Sequence, residues 1–211
     1  LKAGQQIWLD RRVLLHDTFS FTVNGGFWPN HEWLSQALFY AVYAVGGLPL
    51  LTIGCAAAVI GAWGIAWRLT QGPLRLRCLL IVFVLGSATT TWTLRPQALS
   101  LLLVAATVSL LAARRYAWLP PLFLVWANLH GAVLTGMLLV AAALAIAPFE
   151  NRRAFRPLGI AAVCCGLATL ATPLGVRFWS EIPAFFVRVR LVPVGEFTAP
   201  RLTAPLLVPF W

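Results

Sequence analysis

Residues 48–67 read Leu-Pro-Leu-Leu-Thr-Ile-Gly-Cys-Ala-Ala-Ala-Val-Ile-Gly-Ala-Trp-Gly-Ile-Ala-Trp, twenty positions without a charge. At about 1.5 Å per residue, a helix of that length covers the ~30 Å hydrocarbon layer of a bilayer. Comparable apolar segments follow at 78–94, 98–113, 119–149 and 157–175, and the 211 residues are 60% hydrophobic and only 10% charged, with a mean hydropathy of +0.83. A soluble domain carries about a quarter charged residues. The expected class is therefore all-α: a polytopic transmembrane helix bundle, one membrane domain over 1–211, its backbone polar groups satisfied within each helix. The four cysteines lie in or at the start of apolar runs, with no C-x-x-C and no histidine at ligand spacing, so they support neither a metal site nor a redox pair.

Working outward, residues 1–31 form a long polar loop. Residues 32–45 form a helical run of about 21 Å, too short to cross. Glu32, Gln36, Tyr40 and Tyr43 share one face of it, so it reads as an interfacial helix, ended by Gly46-Gly47. The 119–149 segment, about 46 Å if straight, is too long for one vertical span. Asn128, His130, Gly131 and Gly136 interrupt it, which predicts a broken helix or a hairpin. Residues 176–205 read as a second amphiphilic loop. The net charge of +10 does not point to nucleic acid, because the basic residues fall in short clusters between apolar runs. Eight of the sixteen lie in the short segments 68–77, 114–118 and 150–156, which the positive-inside rule puts in the cytoplasm. Five of the six acids, Asp10, Asp17, Glu32, Glu181 and Glu196, then fall on the extracytoplasmic face with His16 and His31. The chain opens at Leu1 in a polar segment and stops in an apolar run, and it reads as an internal fragment of a longer protein.

One string is more specific. Asp17-Thr18-Phe19-Ser20-Phe21-Thr22, then Phe27-Trp28-Pro29-Asn30-His31-Glu32-Trp33-Leu34-Ser35-Gln36, followed by an apolar helix ending in Gly46-Gly47, resembles bacterial GT-C-type membrane glycosyltransferases, the polytopic relatives of protein mannosyltransferases and lipid A aminoarabinose transferases. Arg95-Pro96-Gln97 and Trp126-Ala127-Asn128-Leu129-His130-Gly131 fit the same pattern. The resemblance implies transfer of a sugar from a polyprenyl-phosphate carrier to an acceptor on the outer face of the bacterial inner membrane, with a loop acid as general base toward the acceptor hydroxyl. It also implies that the family's base aspartate sits just after a first transmembrane helix, upstream of Leu1.

Among the residues present, Asp17 and Glu32 are the candidate catalytic acids. Asp17 has three roles open to it: orienting the acceptor, binding a metal, or forming a cap or Asx-turn. For Glu32, the alternative to catalysis is a favourable charge at a helix N-terminus. His31 and Arg95 are candidate substrate-binding residues. The first could bond a phosphate or sugar hydroxyl. The second could meet a carrier phosphate, or it could snorkel to the interface. Asn128 and His130 are read at membrane depth, where polar groups face a cavity or bond another helix. Trp28 is a stacking platform or, like Trp33, Trp92, Trp118 and Trp179, an interfacial anchor. No cofactor is expected, since the acids lack the close spacing of a divalent-metal site. The expected partners are the bilayer and a polyprenyl-phosphate-linked sugar, with no nucleic acid. Two other readings stay open: a catalytically silent structural protein of the same fold, and a transporter or flippase component with His130 on a midplane path.

Overall fold

A computed structural model describes residues 1–88 and 93–191. All regular elements among them are helices. In chain order they are α1 (Lys2–Asp10), α2 (Trp33–Leu69), α3 (Leu74–Ala88), α4 (Gln97–Ala112), α5 (Leu119–Leu129), α6 (Val133–Glu150), α7 (Arg152–Ala168) and α8 (Phe178–Leu191). Two of them, α2 and α6, are long and apolar enough to cross a membrane.

Helix α2 consists of two helical pieces joined at a kink. Gly46 (φ −139°, ψ 18°) and Gly47 (φ 65°, ψ −161°) leave helical geometry, and the positive φ at Gly47 is one that a side-chain-bearing residue adopts only under strain. Pro49 follows in the next turn, where its missing N–H falls among groups the kink has already unpaired. At the far end, Arg77 Nη2 donates to the Trp67 carbonyl (2.6 Å) and the guanidinium stacks 4.1 Å from the centre of the Trp67 indole. This closes the α2–α3 hairpin over the last carbonyls of α2.

The core lies where α4, α5, α6 and α7 meet, around Phe123, Trp126, Val133, Val140, Leu158 and Cys165. A second cluster of Leu51, Cys55, Val59 and Ala98 joins the lower half of α2 to the start of α4. Small residues permit this closeness. A Cβ at Gly136 would strike the Trp126 and Phe123 rings, so the glycine admits the aromatic pair between α5 and α6. Outward, Ile53, Ile60, Leu79, Leu138, Ile160 and Leu167 stand exposed. An apolar outer surface spread over four helices is of the kind that marks contact with lipid or another apolar partner.

Two stretches differ from the sequence expectation. The 1–31 loop begins with a helix, α1, and the 176–205 loop contains α8. Both are short amphiphilic helices whose polar residues mask them in a hydropathy reading. Helix α1 docks on α2 through Gly4, where a Cβ would collide with the Gln36 carbonyl oxygen and Tyr40 Cβ, and through Trp8 Nε1, which donates to Ala37 O (2.9 Å). Helix α8 docks through Phe178 and Ile182, both fully buried, and through Trp179 Nε1, which donates to Thr169 Oγ1 (3.0 Å). Residues 192–205 of that predicted loop, with Glu196, lie outside the described residues, as does Trp92.

Candidate functional site

The loop ahead of α2 is built by its own polar atoms. Backbone bonds Asp17 N to Gly26 O (2.8 Å), Gly25 N to Asp17 O (2.7 Å) and Trp28 N to Leu15 O (2.8 Å) fold it into a narrow antiparallel pinch, with His16 opposite Phe27. Asp17 turns inward on this loop. Its Oδ1 accepts from Phe19 N (2.7 Å) and Ser20 N (3.0 Å), and its Oδ2 accepts from Ser20 Oγ (2.7 Å). These bonds favour the carboxylate form and hold its pKa below the ordinary aspartate value, the Ser20 hydroxyl contributing most. All of Asp17's bonds stay within 17–26, apart from the cluster around Glu32.

That cluster forms where the loop enters α2 and where α5 gives way to α6. Glu32 is the N-cap residue of α2, so its charge lies at the favourable end of the helix dipole. His130 is the extended C-cap of α5 (φ −165°, ψ 142°). The hairpin break brings them together: His130 Nε2 lies 3.1 Å from Glu32 Oε1, and His31 Nε2 lies 3.8 Å from the same oxygen. The side chains of the two histidines are 15% exposed and that of Glu32 30%, so the acid is the member of the group that solvent or substrate reaches most easily.

Hydrogen-bond partners fix the tautomer of His130. Ala132 N–H points at Nδ1 (3.3 Å), so Nδ1 is an acceptor. Ser100 Oγ lies 2.9 Å from the same nitrogen, and that oxygen accepts from Trp126 Nε1 (3.0 Å), which leaves the serine's own proton for His130. The ring proton is therefore on Nε2 and donates to Glu32. The result is a chain from the buried Trp126 through Ser100 and His130 to a carboxylate at the rim. Ser100 is 5% exposed and serves as a positioning group, because its oxygen already holds the indole proton and it has little access to a substrate.

His31 is set differently. Its Nδ1 lies 3.1 Å from Pro29 O, and a carbonyl only accepts, so Nδ1 carries the proton. Burial lowers its pKa below the usual histidine value, with the Glu32 charge opposing that shift. Gly131 packs on the ring, since a Cβ there would lie 3.1 Å from His31 Cδ2. A metal-bound histidine donates its outer N–H to a carbonyl or carboxylate. His31 meets that requirement and His130 does not, since its Nδ1 faces an N–H, so the two do not form a ligand pair. Among the described residues no group of three His, Cys, Asp or Glu is arranged to hold a metal ion.

The remaining candidates sit around this centre or apart from it. The sequence places Asn128 and His130 at membrane depth. In the structure they flank the hairpin turn, beside the first residues of α2, and they face different partners. Asn128 Oδ1 accepts from Trp33 Nε1 (2.8 Å) while its Nδ2 donates to Leu124 O and Ala171 O (2.9 and 3.0 Å). It therefore clamps three segments, and Ser35 Oγ adds a bond to Leu129 O (2.5 Å). Trp28 is half-buried, edge-on to Phe19 with ring centres 6.1 Å apart. Arg95 is exposed just ahead of α4, its carbonyl accepting from Ala98 N (3.1 Å). Ser100 and Trp126 were missed as site residues. The available signal was a lone serine in an otherwise apolar turn of α4, since a polar group inside an apolar helix usually has a specific partner.

Comparison with protein-family models, with curated proteins and with solved structures finds no match for this chain.

Proposed function

We propose that the protein is a polytopic membrane glycosyltransferase of GT-C type, in which Glu32, held by His130, is the general base that takes the proton of an acceptor hydroxyl. The observation that supports this most is the oriented carboxylate: Glu32 Oε1 bonded to the Nε2–H of a histidine whose other nitrogen accepts from Ser100 and Ala132. A hydroxyl attacking the anomeric carbon of a polyprenyl-phosphate-linked sugar must lose its proton as the new bond forms, and a fixed, partly exposed carboxylate is suited to receive it. The bond between anomeric carbon and phosphate breaks as the acceptor oxygen bonds to that carbon, and the polyprenyl phosphate leaves with its negative charge. Arg95, exposed ahead of α4, is the residue proposed to meet that phosphate.

The apolar outer faces and the two long apolar helices support embedding in a membrane; we place it in the bacterial inner membrane on the resemblance, with the Glu32 end outward and the arginines that follow α4 and open α7 inward. The transporter reading stays as the alternative, since the break between α5 and α6 is present at His130; the pairing of His130 with Glu32 is what the general-base reading uses. The test is transfer by purified full-length protein given a polyprenyl-phosphate-linked sugar and a hydroxyl acceptor. Glu32→Gln is expected to lower the rate by about 10²–10⁴, the usual contribution of a general base, with membrane insertion unchanged. Absence of transfer by the wild type would favour the silent structural reading.

A further inference from the structure

At the end of the bundle opposite Glu32, α4, α6 and α7 finish or begin together around a pocket of about 370 Å³. Its floor is apolar, made by Leu111, Ala147 and Leu158, and its rim carries Arg114, Tyr116, Glu150 and Asn151. Helix α6 runs from Val133, beside His130, to Glu150, so the pocket lies about 27 Å from the site described above. Arg114 and Glu150 line the pocket, Arg115 adjoins Arg114 in sequence, and Arg152, Arg153 and Arg156 lie in the first turns of α7.

Arg114 adds a second observation. It has φ 55°, the left-handed conformation that ends a helix and that glycine or asparagine adopts with least strain. The bonds that close α4 there, Arg115 N to Leu110 O (2.9 Å) and Arg114 N to Leu111 O (3.1 Å), are backbone bonds that a glycine would make equally well. Arg11, the C-cap of α1, has the same left-handed conformation, so the conformation itself is helix-ending geometry; what distinguishes Arg114 is that it lines the pocket.

We propose that this pocket binds the headgroup of an anionic phospholipid, with Arg114 on the phosphate, Glu150 and Asn151 on headgroup hydroxyls, and the acyl chains along the neighbouring apolar faces. Arginine clusters between membrane helices on the cytoplasmic side attract such headgroups; here Arg114 on the rim is balanced by Glu150, and the excess positive charge comes from Arg115, Arg152, Arg153 and Arg156 just outside the lining, while the mixed rim over an apolar floor matches an amphiphile better than a free anion. The proposal rests on the membrane part of the reading above and not on its chemistry.

Full-length protein in detergent, titrated with phosphatidylglycerol or phosphatidylcholine and read by native mass spectrometry, tests it. The wild type should retain phosphatidylglycerol at least about fivefold better, the effect of roughly one arginine contact. Arg114→Gln should fall to the phosphatidylcholine level. Arg75→Gln, an exposed arginine outside the pocket, should stay within about twofold of wild type on the same scale of one contact per arginine. Equal retention of the two lipids overturns the proposal. So does an equal loss in Arg75→Gln, or displacement of the lipid by an equal concentration of soluble glycerol 3-phosphate. Glu32→Gln should bind lipid as the wild type does, so failure of either proposal is visible without the other.

Discussion

Ser100 carries more of the site than its size suggests. It accepts from a fully buried indole and donates to His130, so Ser100→Ala leaves the Trp126 N–H without a partner and releases the ring that aims at Glu32. An unsatisfied buried donor costs about 1–3 kcal/mol. We expect a stability loss of that order by denaturant titration, together with slower transfer that Ser100→Thr partly restores. His31 gives the molecule a pH dependence of definite sign. Its pKa is lower folded than unfolded, so below about pH 6.5 the unfolded chain binds the proton first. Stability is therefore full above that pH and declines as pH falls toward the folded value. The thermal midpoint should drop between pH 7 and 5, and His31→Gln should flatten that slope. The sequence showed His31 and Glu32 as neighbours in one string, but nothing in it tied Glu32 to His130, 98 positions away. That pairing depends on how the α5–α6 break meets the start of α2, which is a property of packing.

At the level of elements, glycines decide which helices meet. The apolar runs made the all-helical character and the long helices legible, because hydropathy over some eighteen residues is a strong signal. The short helices α1 and α8 were not legible, since nine and fourteen residues of mixed polarity look like loop and gain their order from docking. Gly4 shows how narrow that docking is. A methyl group there meets the Gln36 carbonyl and Tyr40 Cβ, so Gly4→Ala should lift α1 from α2 and break the Trp8 bond to Ala37. Overpacking of this kind costs about 1–3 kcal/mol. The expected readout is faster limited proteolysis within 1–31, with the helical content of the remainder unchanged by circular dichroism.

Across the whole molecule the described acids are sorted by end. The described acids, apart from Glu150, belong to the loop–α1–α8 end that holds Glu32, while Arg114 and Arg115 after α4 and Arg152, Arg153 and Arg156 at the start of α7 gather at the other. This division separates the proposed general base, Glu32, from the proposed lipid pocket around Arg114. Composition already indicated this polarity. What it could not do was choose between Asp17 and Glu32, two acids in one loop that look equivalent in sequence. The structure separates them by their partners: Asp17 bonds to its own loop, and Glu32 to a histidine from another hairpin. The most direct measurement is therefore the transfer rate of Asp17→Asn beside that of Glu32→Gln, in full-length protein shown to be membrane-inserted. The account predicts a loss of about 10²–10⁴ for Glu32→Gln and a rate near wild type for Asp17→Asn. An unimpaired Glu32→Gln, or a loss confined to Asp17→Asn, would contradict it.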